Sequence, residues 1–253
     1  MAFIGNIPTN VPLTGSQIAD GTIVNANVAT NTLNLTQKVT STLPFANGGT
    51  GLSALGTANQ VLAVNSGATA LEYQTVSSDY VLLATSTANN TASTITMNGY
   101  FSSTYKNYVV KFNNILPATN RTGVRLRVRI ANADVTSGYA QIGWNGYVES
   151  VGSGISTVSA WFSGTYADIN GDASNTSSQG GSDGEIVFFN PSNSSQNKNF
   201  YLQSIGWKPA NDTIIIQTPV FYRLDNTAAF TGFTIYTASG NITSGTVKLY
   251  GIK

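Results

Sequence analysis

From about residue 80 onward, apolar and polar positions alternate in short runs broken by turn residues. Tyr108, Val110 and Phe112 fall on one strand face, with Val109 and Lys111 on the other. Val124, Leu126, Val128 and Ile130 oppose Arg125, Arg127 and Arg129 in the same way. Ala140, Ile142 and Trp144 share a face. Phe200, Leu202 and Ser204 alternate with Tyr201, Gln203 and Ile205, and Val247 and Leu249 with Lys248 and Tyr250. Ile186 to Phe189 and Ile214 to Ile216 are apolar at every position, which predicts central or covered strands. Asn98-Gly99, Asn145-Gly146, Asn170-Gly171, Asn190-Pro191 and Ser239-Gly240 read as turns. The pattern predicts roughly eight to twelve strands in a β-sandwich. Residues 163–184 hold almost no apolar side chain and read as one long loop.

The chain before residue 80 follows another rule. Single aliphatics, among them Ile18, Ile23, Val28, Leu33, Leu35 and Val39, stand among Asn, Thr, Ala and Gly with no heptad. Many Thr, Asn and Gly residues disfavour helix. One chain cannot bury such scattered aliphatics, whereas three chains around a common axis can, each giving one apolar residue per layer. The plainer alternative is a flexible linker, against which the regular return of aliphatics counts.

Composition sharpens the division. Residues 1–79 carry Lys38, Asp20, Glu72 and Asp79 as their only charges and Phe3, Phe45 and Tyr73 as their only aromatics. Charged residues are 9% of the chain, against about 25% in ordinary soluble chains. A surface this poor in charge is weakly protected against association. With 12 basic and 11 acidic residues, the chain lacks the basic excess of a nucleic-acid-binding domain. Cysteine and histidine are absent, which excludes the usual zinc sites, a Cys nucleophile, a Ser-His-Asp triad and disulfides. There is no apolar run of membrane-spanning length, so no membrane insertion is expected. The start Met1-Ala2-Phe3-Ile4-Gly5-Asn6 lacks a basic region and apolar core of an export signal, and predicts synthesis in a cytosol.

The segment Phe45–Tyr73 contains Gly48-Gly49-Thr50-Gly51, then Gly56-Thr57-Ala58-Asn59-Gln60-Val61-Leu62, and closes on Asn65-Ser66-Gly67-Ala68-Thr69-Ala70-Leu71-Glu72-Tyr73. It resembles a segment of bacteriophage tail fibres. Gly15–Ile23 is similar to the trimer-forming repeats upstream of it in such fibres. Ser239–Ile252 and Phe189-Asn190-Pro191-Ser192-Asn193 are similar to parts of their head domains. The resemblance implies a homotrimer in three parts. Residues 1–44 would attach to other virion proteins and form the trimerising stalk. Residues 45–76 would form the shaft or neck, and 77–253 a jelly-roll-like β-sandwich head that meets a host-surface glycan or protein. The expected fold class is therefore all-β, with an extended β-rich trimeric stalk, and the expected location the virion, after synthesis in the host cytoplasm. A structural virion protein, such as a head fibre or capsid decoration, is the alternative.

Candidate chemistry lies in the second part. Arg125, Arg127 and Arg129 share one strand face at about 7 Å spacing, suited to anionic sugars or phosphates, or to pairing with Asp134, Glu149 or Asp225. Trp144, Tyr147, Trp161, Tyr166 and Trp207 are placed at strand ends or beside loops, where flat rings suit sugar faces while Asp168 and Asn170 bond hydroxyls; the alternative for the tryptophans is core packing. Asp168-Ile169-Asn170-Gly171-Asp172 opens like a calcium loop, but Ala173 and Gln179 stand where the motif needs Gly and Glu, so a solvated turn and no metal are expected. Gly48–Gly51 lacks the Gly-Lys-Ser/Thr of a phosphate loop. Acid pairs such as Asp168/Asp172 or Asp183/Glu185 do not define a glycosidase. Neither an enzyme nor a cofactor is expected.

Overall fold

The computed structural model describes Ser16, Val24 and residues 49–76, 78–148, 157–209 and 213–253, the side chains of 144–148, 157–163 and 213–219 excepted. The stalk candidates Ile18, Ile23, Val28, Leu33, Leu35 and Val39, and the side chains of Trp144, Tyr147 and Trp161, lie outside that description. The chain divides into two units, Met1–Ser77 and Ser78–Lys253. The architecture is all-β and antiparallel. Among the described residues no helix is long and apolar enough to cross a membrane.

In the first unit, β1 (Gln60–Val64) and β2 (Leu71–Thr75) form a hairpin. Its connection is closed by the Asn65 carboxamide oxygen, which accepts from the backbone N–H of Thr69 and Ala70 at 2.9 and 3.3 Å. The hairpin buries little. Leu55 is 92% exposed, and Val61, Leu62 and Val64 are also exposed. A lone two-stranded hairpin of this kind is marginally stable in water.

Among its described residues the second unit holds thirteen strands, somewhat more than the alternation predicts. They are β3 (Tyr80–Thr87), β4 (Thr94–Asn98), β5 (Asn107–Pro117), β6 (Thr122–Ile130), β7 (Ala133–Asp134), β8 (Tyr139–Val148), β9 (Thr157–Gly164), β10 (Ala167–Ala173), β11 (Ser182–Phe189), β12 (Lys198–Lys208), β13 (Thr213–Leu224), β14 (Phe230–Thr237) and β15 (Ile242–Ile252). The large sheet runs β3-β15-β5-β11-β12-β13-β8-β9. The small one runs β10-β6-β14-β4, with β7 also paired to β6.

One core joins the inner faces of both sheets. On β6, Val124, Leu126 and Val128 are fully buried while the arginines between them point outward, as the alternation requires. Phe200 and Leu202 on β12, and Val247 and Leu249 on β15, are buried likewise. Phe188 of β11 is the hub. Its ring centroid lies 5.1 Å from Phe101, 5.3 Å from Phe200 and 5.9 Å from Phe233 of the opposite sheet. Each such buried ring stabilises the fold by roughly 1.5–3 kcal/mol relative to exposure.

Three expectations are corrected. Residues 163–184 are not one loop: β10 occupies Ala167–Ala173 and β11 begins at Ser182. Ala167, Ile169 and Ala173 are buried, and so is Asn170, whose amide donates to Ser182 Oγ at 3.3 Å and to the Trp207 carbonyl at 3.4 Å. A buried strand built on alanines and a hydrogen-bonded Asn leaves no apolar signature. Asn145-Gly146 and Asn170-Gly171 are not turns but lie within β8 and β10, the latter at a register shift between Asn170 and Ala173. Trp144 and Trp161 are placed mid-strand in β8 and β9, not at strand ends. By contrast Asn98-Gly99, Asn190-Pro191 and Ser239-Gly240 do form turns, with Gly99 and Gly240 at φ +81° and +73°.

Lys198 is a further surprise. It is 1% exposed, and its ammonium donates to the carbonyls of Gln196 and Thr227 at 2.6 and 2.8 Å, tying together the connections before β12 and before β14. Burial pulls its pKa down.

Candidate functional site

The sequence candidates separate into three places. Arg125, Arg127, Arg129, Tyr166 and Asp168 meet on the outer face of the small sheet. Asn170 turns into the core instead. Trp207 is half-buried on β12 of the large sheet, where β8 and β9 carry Trp144, Tyr147 and Trp161.

Strand register builds the small-sheet face. Arg125 stands beside Asp168 of β10 on one side and Tyr236 of β14 on the other. Arg127 stands opposite Thr234, and Arg129 opposite Gly232. Tyr166 lies in the short connection between β9 and β10, and its ring covers the Arg125 guanidinium at 4.0 Å. The Arg127 guanidinium lies 4.7 Å from the centre of the Tyr236 ring. The result is an interleaved series, Tyr166, Arg125, Tyr236, Arg127. Each cation–ring contact is worth about 0.5–1 kcal/mol where exposed, more where dry. From below, Tyr222 of the large sheet fixes the β10 end: its hydroxyl accepts from the Asp168 N–H at 3.0 Å.

The three arginines are not equally satisfied. Arg129 is fully engaged. It reaches Asp134 at 2.5 Å, Asn98 Oδ1 at 3.2 Å, Thr234 Oγ1 at 3.2 Å and the Asn132 carbonyl. Asp134 is one of the counter-charges anticipated for it. Among the described carboxylates Arg125 meets Asp168, with Nε to Oδ1 at 4.0 Å and no hydrogen bond between them, and its side chain also meets the Tyr236 hydroxyl. Arg127 gives Nε–H to the Thr165 carbonyl at 3.2 Å and has no carboxylate within 4.0 Å among the described residues. Three buried atoms here make no hydrogen bond within the described protein: Arg125 Nε, Asp168 Oδ1 and the Tyr236 hydroxyl. Nearby, Asp172 is shared by Arg121 at 3.7 Å and Lys208 at 3.5 Å. Cations therefore outnumber carboxylates around this face.

Burial raises the pKa of Asp168, and Arg125 opposes the rise. Burial likewise raises Tyr236, against the pull of Arg127 and Arg125. The Asp168–Asp172 segment is strand rather than a solvated turn, and among the described residues no group of three acidic side chains is placed to hold a metal.

A second surface escaped the sequence reading. Across the outer face of the large sheet the register aligns Leu82, Tyr250, Val109, Val187, Tyr201, Phe221 and Ile142 in one row over seven strands. Phe221 is 56% and Ile142 59% exposed. Phe189, Phe221 and Ile142, with Gln141, Asn199 and Arg223, line an open groove of about 570 Å³. The visible signal was the outward set of each alternating strand, where Tyr201, Phe221 and Ile142 recur instead of polar residues. Beside the row, Lys111 and Glu185 pair across β5 and β11.

No family model, curated protein or solved structure matches the chain.

Proposed function

We propose that this chain is a bacteriophage adsorption appendage of the tail-fibre type, a homotrimer that binds a host-surface glycan or protein through residues 77–253. In this reading residues 1–44 attach to other virion proteins and trimerise as an extended stalk, 45–76 form the neck, and the two-sheet unit is a jelly-roll-like head. The protein is made in the host cytoplasm, works on the virion, and catalyses nothing.

The observation that carries the reading is the outer face of the small sheet, where Tyr166, Arg125, Tyr236 and Arg127 interleave with part of their hydrogen-bonding capacity unspent. Rings and guanidinium forks suit saccharide faces and their polar substituents. Exposed Leu55, Val61, Leu62 and Val64 in the first unit support assembly, since the hairpin does not shelter them. Three weak sites per trimer, and several fibres per particle, raise avidity without stronger contacts.

A second reading, a structural virion protein that packs against other subunits, draws on the apolar row of the large sheet. Fluorescently labelled full-length chain incubated with a panel of bacterial strains separates the two. The adsorption reading expects saturable binding to at least one strain, reduced by periodate treatment of its surface glycans or by proteolysis of its surface proteins. Binding to none of them overturns it in favour of the structural reading.

A further inference from the structure

We propose that Arg125 and Arg127 form an anion seat for the carboxylate of an acidic saccharide, with Arg127 as its anchor. The inference deepens the adsorption reading and rests on it for the biological role of this face.

Donor accounting leads to it. A guanidinium carries five N–H donors in a fixed fork. Arg125 leaves its Nε–H without a partner and turns its side chain to the Tyr236 hydroxyl, and Arg127 spends only Nε–H, on the Thr165 carbonyl. Arg129, one strand repeat further along, spends its donors on Asp134, Asn98, Thr234 and Asn132. The same strand face thus holds one arginine built into the fold and two held in place by rings, of which Arg127 keeps its fork free. Tyr166 and Tyr236 fix the guanidinium planes, so little side-chain freedom remains to be lost when an anion docks.

The chemistry of the neighbours narrows the ligand. With 12 basic against 11 acidic residues the chain lacks the basic excess of a nucleic-acid-binding surface. A repeat with one planar carboxylate and several hydroxyls fits: the carboxylate matches the Arg127 fork, and a hydroxyl meets the part-exposed Asp168 carboxylate.

The test uses full-length protein and three acidic probes, polygalacturonate, alginate and polysialic acid, against neutral dextran and a short DNA duplex, by titration calorimetry. At least one acidic probe should bind in a salt-dependent manner, and dextran and DNA should not. Arg127→Ala should weaken that binding at least tenfold and Arg127→Lys severalfold. Lys248→Ala, which removes the same charge from the exposed face of the large sheet, should change it less than twofold. Thermal midpoints of all variants check folding, and Arg127→Lys keeps the test decisive if Arg127→Ala is unstable. Binding to no acidic probe, equal binding of dextran or DNA, or equal losses in the Arg127 and Lys248 variants would overturn the proposal. Strain binding that persists in Arg127→Ala would sink the anion seat and spare the adsorption reading. Acidic-probe binding without strain binding would do the reverse.

Discussion

The two outer faces of the second unit are made by the same alternation and end up chemically opposite. On the small sheet the outward positions are arginine, tyrosine, threonine and aspartate, and the Arg127 guanidinium keeps most of its donors free. On the large sheet the outward positions form an apolar row, with Lys111 and Glu185 paired beside it. Both stand on one core. Burial period fixes which residues point out, while cross-strand register decides what they become together. Arg125 is a site component because register sets Asp168 and Tyr236 on either side of it; Phe221 belongs to a row because register sets it between Tyr201 and Ile142.

Five substitutions test the contrast between the two faces, and the most costly comes first. Phe188→Ala removes the hub that supports both faces and should cost about 3–5 kcal/mol in chemical denaturation; a smaller loss than that of any surface variant would mean the faces do not share a core. Arg129→Ala should cost about 1.5–3 kcal/mol, because it leaves the half-buried Asp134 carboxylate without its cation and the Asn132 carbonyl without that donor. Lys111→Ala on the opposite face, where the lysine is half exposed, should cost at most about 1 kcal/mol. Equal losses would erase the distinction between an arginine built into the fold and a surface ion pair.

Asp168→Asn tests the charge buried at the seat. Burial raises the Asp168 pKa, so the folded state holds its proton more tightly than the unfolded chain. The ionised carboxylate therefore costs stability as pH rises from the ordinary carboxylate range through the raised folded value, and the cost is constant above it. The variant should be more stable than the parent at neutral pH and lose that advantage on acidification, followed by denaturation midpoints across pH. A variant less stable at neutral pH would show that pairing with Arg125 outweighs burial. Smallest of all, Phe221→Ser should change stability by less than about 0.5 kcal/mol while lowering self-association in light scattering. Unchanged association would leave the apolar row without a role in packing.

Much of the fold was legible because β6, β12 and β15 alternate without interruption, and the arginine face followed directly from β6. What stayed hidden has physical causes. β10 is buried on alanines and on Asn170, a polar residue that satisfies itself on Ser182 and Trp207, so no hydrophobic period marks it. Tyr236 was missed as a partner of the arginines because the pairing of β6 with β14 joins residues more than a hundred apart, and spacing along the chain carries no record of that register. The separation of Arg129 from its two neighbours has the same origin: its acceptors come from β4, β7 and β14 together.

Hydroxyl-radical footprinting of the full-length chain, free and bound to cells of a strain it recognises, compares the two faces in one experiment. The account predicts protection of Tyr166 and Tyr236, with Tyr201, Phe221 and Phe189 labelled as in the free protein. Protection confined to the large-sheet residues would contradict it.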